Sequence, residues 1–322
     1  MATVRAGARL HVGFTNLSLA HERLYGGIGV ALAEPRVVVS ATPASTVRAR
    51  DDLAAEYARR SADLLDVPGA AVTVEQQLPR HVGLGSGTQL ALAVHAAIAA
   101  AHDEPVDVRA AAPALGRGGR SGVGVAGFER GGLVVDGGHP TTRFTTAPPE
   151  RGEWSVPPIL AAHGLPADWR FVLAIPDAAR GRCGDEEDAT MRSVVERASP
   201  ALADEVAGVV VRQLLPAAAR GDRTAFAAAL AEVERCNGAW YAEEQGGVFR
   251  PPVGTIVEAL RRRDAIDVAG QSSWGPAAYG LTTADAADRA AEAATDALDE
   301  AGVHGDVIIT SAASDGATVE RD

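Results

Sequence analysis

The stretch Leu78-Pro-Arg-His-Val-Gly-Leu-Gly-Ser-Gly-Thr-Gln-Leu-Ala-Leu-Ala-Val94 places glycines at 83, 85 and 87 and runs straight into an apolar, alanine-rich segment. Glycine lets the backbone take left-handed conformations and come close to a ligand. A helix starting here leaves its first N–H groups unbonded, with partial positive charge at that end. The run predicts a turn that opens a helix from about Thr88 to Ala101, capped by Ser86 or Thr88, with an anion site on the backbone of residues 83–88. An ordinary capped strand-to-helix turn is the other reading of the same residues.

Before this turn, Val4–Phe14 reads as an edge-type strand by its alternation, and Tyr25–Ala33 and Arg36–Ser40 continue the β signal on either side of Pro35. Asp51–Leu65 has helical spacing, and Ala71–Glu75 is a short strand. After the turn come a helix at Asp107–Leu115, β structure over Gly122–Asp136 with Gly131-Gly132 between two strands, and a Pro/Thr/Gly-rich linker at His139–Gly164. A second unit opens on the buried strand Trp169–Ile175. It continues with helices at Glu187–Arg197, Leu202–Leu215, Arg223–Asn237, Gly254–Arg263 and Ala284–Ala301, and with strands at Ile266–Gly270 and Gly305–Thr310. Strands and helices without regular βαβ alternation argue for an α+β chain of two domains, 1–165 and 166–322.

Composition narrows the chemistry. The 322 residues carry 42 acidic and 30 basic side chains, net charge −12, and every basic residue is arginine. Without lysine there is no Schiff-base or lysine-base chemistry and no P-loop. The acidic balance excludes a general nucleic-acid or anionic-membrane binder, and suggests a high-GC, salt-loving cytoplasm. A hydrophobic content of 47% is ample for a core. Met1–Gly13 lacks the apolar run of a signal peptide, and Leu90–Ala101, interrupted by His95, is far short of the roughly 20 residues that span a bilayer. Cys183 and Cys236 are expected as reduced, semi-buried thiols.

Three more segments carry chemistry. Gly116–Asp136 includes a literal G-x-G-x-x-G at Gly122, Gly124 and Gly127, but no strand precedes it and Val123, Val125 and Phe128 look like strand residues, so a dinucleotide fingerprint is rejected. Arg117 and Arg120 beside Ser121 suit bidentate recognition of phosphate or carboxylate, or are solvated arginines on a turn. Gln271-Ser-Ser-Trp274, bracketed by small residues, suits a site wall, and Glu244–Phe249 is a weaker segment of that kind. At the N-terminus Arg9 and His11 share a strand face, and Arg23 precedes a tight glycine turn. Asp185–Asp188 reads as a solvated helix start, and the remaining histidines assemble no metal triad.

In this order the motifs resemble one family. Pro79 followed by Gly83-Leu84-Gly85-Ser86 resembles the phosphate loop of the GHMP kinase superfamily. Gly87-Thr88-Gln89-Leu90, Gly118 with Arg120–Gly124, Phe128–Gly132, Asp136-Gly137-Gly138 and Gly270–Pro276 together are similar to the β-ribofuranosylaminobenzene 5′-phosphate synthase family. The resemblance runs from Arg9 to about Leu281. It implies the two-domain GHMP kinase-like fold, with a ferredoxin-like C-terminal half and the ligand cleft between the domains.

It also implies a reaction: phosphoribosyl pyrophosphate condenses with 4-aminobenzoate or 4-hydroxybenzoate and releases CO2 and pyrophosphate, as in methanopterin-type pterin biosynthesis. Mg2+ is expected with the pyrophosphate, and no organic cofactor. Catalytic roles fall to Asn16, Arg23 and Arg9, and phosphate binding to Gly83, Leu84, Gly85, Ser86, Gly87 and Thr88. Substrate binding falls to Arg117, Arg120, Gln271, Ser272, Ser273 and Trp274. A cytoplasmic homodimer acting on small molecules, with no nucleic acid or membrane partner, is implied too. One departure stands out: the family generally has aspartate where this chain has Asn16. An ATP-dependent GHMP small-molecule kinase and a catalytically lapsed ligand-binding relative are the competing readings.

Overall fold

The computed structural model describes residues 1–144, 149–178 and 185–321, the side chains of 185–188 excepted. The chain begins with two long antiparallel strands, β1 (Ala2–Asn16) and β2 (Arg23–Pro43). Next come α1 (Asp52–Leu65), β3 (Ala70–Gln76), α2 (Ser86–Ala101), α3 (Val108–Ala111), α4 (Val123–Arg130), β4 (Leu133–Asp136), β5 (His139–Pro140) and β6 (Ile159–His163). Then follow β7 (Trp169–Pro176), α5 (Asp185–Arg197), α6 (Pro200–Val209), a π-helical turn, α7 (Leu215–Arg220), α8 (Arg223–Gln245) and α9 (Val253–Arg261). The chain ends with β8 (Val268–Gln271), β9 (Ala278–Thr283), α10 (Ala287–Glu300), β10 (Gly305–Thr310) and β11 (Thr318–Arg321).

The first sheet runs β11-β1-β2-β4-β6, with β3 and β5 paired to the two ends of β2. β1 alternates buried and half-buried residues from Ala2 to Leu10, as its sequence predicts, and β2 passes through Pro35 as one strand. Helix α2 is buried nearly all round, so its alanines act as thin spacers that bring it close against β1 and β2, between α1 and α4. The second sheet, β10-β7-β9-β8, is covered by α9 and α10, while α8 packs against both β8 and β1 and joins the halves. No helix among the described residues is long and apolar enough to cross a membrane.

Several expectations need correction. Gly122–Asp136 is not two strands: Val123–Arg130 is helix α4, and β structure returns at Leu133. The glycines serve close packing there, since a Cβ on Gly124 would lie 3.0 Å from Thr88 and one on Gly127 3.2 Å from Ala31. The supposed linker contributes β5 and β6, and the C-terminal tail returns to the first sheet as β11. The predicted helix over Asp107–Leu115 stops at Ala111; Ala112 is still helical in backbone, and Pro113 has no N–H with which to continue the ladder. Cys183 lies outside the described residues, and Cys236 is a buried free thiol pushed up to about 11 by that burial.

Candidate active site

The glycine-rich turn sits where the two halves of the chain meet. Gly85, left-handed at φ 78°, is the N-cap of α2 and gives no side-chain cap; neither Ser86 nor Thr88 takes the role expected of it. The N–H groups of Thr88 and Gln89 both return to the Gly85 carbonyl at 3.0 Å, so those of Ser86 and Gly87 form the open end of the helix. The turn is held from β1, where Arg9 N–H bonds the Leu84 carbonyl at 3.1 Å and Arg9 Nη1 bonds the Gly83 carbonyl at 2.7 Å. It is held from the second half too: Ser272 Oγ donates to the same Gly83 carbonyl at 2.7 Å, and Ala277 N–H bonds Val82 at 3.1 Å. Backbones touch directly at this junction. A Cβ on Gly83 would lie 2.1 Å from the Ser272 carbonyl oxygen, and one on Gly275 2.0 Å from the Val82 carbonyl carbon.

Past its pairing with β11, the open edge of β1 is satisfied by the second half. His11 N–H donates to Ser272 Oγ at 3.1 Å, and His11 O accepts Ser273 N–H at 2.9 Å. Asn237 on α8 brackets Phe14, its Oδ1 accepting Phe14 N–H at 2.8 Å and its Nδ2 donating to Phe14 O at 3.1 Å.

A cavity of about 690 Å³ opens at this junction. It gathers Arg9, Thr88, Arg117, Arg120, Ser273 and Trp274 from the predicted set. It adds Arg143 and Arg192, and its described lining residues include five arginines and no carboxylate. Arg117 lies over Gly87, where an added Cβ would be 3.1 Å from its Nη2; it also bonds the Tyr57 hydroxyl and stands 5.4 Å above that ring. Trp154 Nε1–H bonds the Arg117 carbonyl at 2.7 Å. Arg192 sits 4.6 Å over the Phe144 ring.

The Arg117–Ser121 loop is shaped by two groups, Asp136 at the end of β4 and His139 in β5. Asp136 is fully buried and accepts Gly122 N–H (2.6 Å), Ser121 Oγ–H (3.1 Å) and Gly138 N–H (2.8 Å). Burial still raises its carboxyl above the usual range. His139 Nδ1 accepts from Arg143, so its Nε2–H donates to Gly118 O at 3.0 Å. Burial first and Arg143 second push the His139 ring down to about 4.

The structure does not bring every expected residue to the cavity. Asn16 is buried in the turn between β1 and β2: its Nδ2 donates to Ser18 O (2.9 Å) and Arg23 O (2.6 Å), and its Oδ1 accepts Ser18 N–H (2.7 Å). Exposed Arg23 clamps the Gly137 and Gly138 carbonyls at 2.5 and 2.6 Å and so touches the loop-shaping segment, not the cavity wall. Ser272 is inside the junction. Gln271 lines a smaller neighbouring pocket of about 50 Å³, where it bonds Arg250 N–H and the Ser273 carbonyl.

Sequence reasoning missed Tyr25, His139, Arg143, Trp154 and Arg192. Four of these lie on the supposed linker or a helix with no motif, and nothing in local spacing distinguishes them. It also missed buried Glu234, which accepts the Tyr279 hydroxyl at 2.6 Å behind Gly270 and is pushed up to about 8 by burial.

Comparison with known proteins agrees with this architecture. Residues 46–132 match the family model for the GHMP kinases N terminal domain. The chain is 32% identical to β-ribofuranosylphenol 5′-phosphate synthase of Archaeoglobus fulgidus, over 99% of this chain and 100% of that protein. It is 30% identical to the enzyme of the same name from Methanothermobacter thermautotrophicus, over 87% and 88%. Among solved structures, homoserine kinase from Cytophaga hutchinsonii superposes with a TM-score of 0.70 at 16% identity, covering 99% of this chain and 97% of that one. Phosphomevalonate kinase of Streptococcus pneumoniae gives 0.69 at 12% identity, covering 97% and 99%. Those kinases share the fold, and the near full-length sequence match places this chain in the β-ribofuranosylphenol 5′-phosphate synthase family.

Proposed function

We propose that this protein transfers the phosphoribosyl group of phosphoribosyl pyrophosphate to the ring of 4-hydroxybenzoate or 4-aminobenzoate, releasing CO2 and pyrophosphate, in methanopterin-type pterin biosynthesis. Beside the family relationship, the observation that carries this reading is the arginine-lined, carboxylate-free cavity of the described residues, set against the open end of α2. A protein of net charge −12 has concentrated cations where a twice-phosphorylated sugar and a carboxylate would meet. The phosphorylated sugar does not cross membranes, which puts the reaction in the cytoplasm.

The chemistry follows from the charges that move. As the anomeric carbon parts from pyrophosphate, positive charge builds on the sugar and negative charge on the leaving group. The open N–H groups of Ser86 and Gly87, with Arg9 and Arg117 flanking them, stabilise that leaving group at a preorganised site. Arg120, Arg143 and Arg192 serve the 5′-phosphate and the acceptor. Trp274, Phe14 and Tyr25 supply apolar wall for the ring. The ring carbon bearing the carboxylate attacks the anomeric carbon, and loss of CO2 returns the electron pair that restores aromaticity.

Mg2+ enters this scheme with its substrate. The described cavity residues offer hydroxyls but no carboxylate, and Asp136 is consumed by three hydrogen bonds, a poor donor set for a resident hard cation. No step here runs through the metal.

Incubation with phosphoribosyl pyrophosphate, Mg2+ and carboxyl-labelled 4-hydroxybenzoate or 4-aminobenzoate should release labelled CO2 and pyrophosphate in equal amounts. Folded protein that releases neither would overturn the proposal, and ADP formation from ATP and an added alcohol would favour a kinase instead.

A further inference from the structure

His11 is 6% exposed, and its Nε2 has no hydrogen-bond partner among the described residues. It stands on the shared wall of the 690 Å³ cavity and the 50 Å³ pocket behind it, together with Phe14, Ser273 and Trp274. A buried polar atom without a partner is costly unless a ligand completes it. We infer that the His11 imidazole reads the para substituent of the aromatic acceptor, with Nε2 accepting the hydrogen bond of its O–H or N–H. This rests on the phosphoribosyl transfer proposed above.

Three observations fit the ring to this role. First, Nε2 is the buried ring nitrogen that no group among the described residues meets, so it is the atom left to take a ligand's donor. Second, burial, then Arg9 and Arg120, hold the ring neutral and well below its ordinary range, so it accepts and does not donate. Third, His11 continues an aromatic row: it is 4.7 Å from Phe14, Phe14 is 5.6 Å from Tyr25, and Tyr25 is 6.4 Å from His139. A benzoate lying on this row with its para end at His11 directs its carboxyl-bearing carbon along the row toward Tyr25 and His139, beside Arg143.

The bond would strengthen as the reaction proceeds. Attack forms the ring C1–anomeric carbon bond while the anomeric C–O bond breaks, its electron pair leaving on pyrophosphate. Ring electron density is drawn from the para heteroatom, so its proton becomes more acidic and its hydrogen bond to neutral Nε2 tightens. The C–COO⁻ pair then re-enters the ring as CO2 departs, and no net proton transfer is needed. An interaction stronger in the transition state than in the ground state raises turnover as well as affinity.

The test compares 4-hydroxybenzoate with its near-isostere 4-methylbenzoate, which lacks the donor, by calorimetric binding in the presence of inorganic pyrophosphate. Wild type should prefer the hydroxy acid by about 10- to 100-fold, as expected for a buried acceptor left unmet. His11→Leu should compress that preference to within about threefold, and His11→Gln, which keeps an acceptor oxygen, should restore part of it. A folded His11→Leu protein with the wild-type ratio overturns the assignment. So does equal binding of the two acids by wild type; if that protein still releases CO2 and pyrophosphate, the transfer stands and the role of His11 falls.

Discussion

Ser272 and Gly83 are 189 residues apart in sequence, yet the Ser272 hydroxyl donates to the Gly83 carbonyl at 2.7 Å while accepting His11 N–H at 3.1 Å. One hydroxyl thus ties the glycine-rich turn, β1 and the second half of the chain together. Ser272→Ala would leave the His11 N–H buried and unmet, at a cost of about 1–3 kcal/mol in stability. Gly275→Ala should be worse for function, because its Cβ would press into the Val82 carbonyl and displace the loop. Urea unfolding should register the first change, and a raised KM for phosphoribosyl pyrophosphate the second; a Gly275→Ala enzyme with wild-type kinetics would contradict the junction described here.

Asn16→Asp is the substitution that would recreate the residue general in the family. Here the Asn16 amide donates to two backbone carbonyls, and a carboxylate at that place would face both oxygens without a proton to offer. The expected result is a loss of about 1–3 kcal/mol in stability with no gain in turnover. An Asn16→Asp protein that is both as stable as wild type and faster would show that the turn is secondary to a charge role.

Stability should depend on pH from both sides. Glu234, raised to about 8 from an ordinary 4.5, is held neutral in the fold; its contribution is complete below 4.5 and is lost as pH rises through 8. His139, lowered to about 4 from 6.5, contributes fully above 6.5, and that stability is lost as pH falls through 4. Glu234→Gln removes the alkaline term alone. Its denaturation midpoint should gain on wild type steadily between pH 5 and 8, and an unchanging difference across that range would refute a buried neutral Glu234.

What was legible in the sequence follows from the physics of each element. The alternation of β1 and the apolar run of α2 are local patterns, and the glycines at 83 and 85 mark a turn whose backbone must take positive φ. Helix α4 was illegible because glycine and valine are poor helix formers; it forms because Gly124 and Gly127 let it approach Thr88 and Ala31. Edge strand β6 lacks a clean apolar face, with Leu160 69% exposed, and the exposed, charge-bearing β11 has Val319 as its single apolar residue. In the site, Arg9, Arg117 and Arg120 were readable because glycine-rich or alternating sequence surrounds them. Arg143 and Arg192 become cavity residues only through the packing of β5 and α5 around it.

Arg117 tests the site most directly. Its guanidinium lies across Gly87 at the open end of α2 while bonding the Tyr57 hydroxyl, a flat two-sided seat that suits a planar fork better than a point charge. If it binds the leaving pyrophosphate, Arg117→Ala should lower kcat/KM for phosphoribosyl pyrophosphate by about 10- to 100-fold, the worth of a charge-assisted hydrogen bond of roughly 1.5–3 kcal/mol. Arg117→Lys should recover part of that loss, because the charge remains but the seat on Tyr57 does not. Tyr57→Phe should cost less than either, about 0.5–1.5 kcal/mol, because it removes one support and leaves the cation. Steady-state kinetics with each substrate varied in turn decide the matter. A change confined to the KM of the aromatic acid would move Arg117 from the pyrophosphate to the acceptor carboxylate.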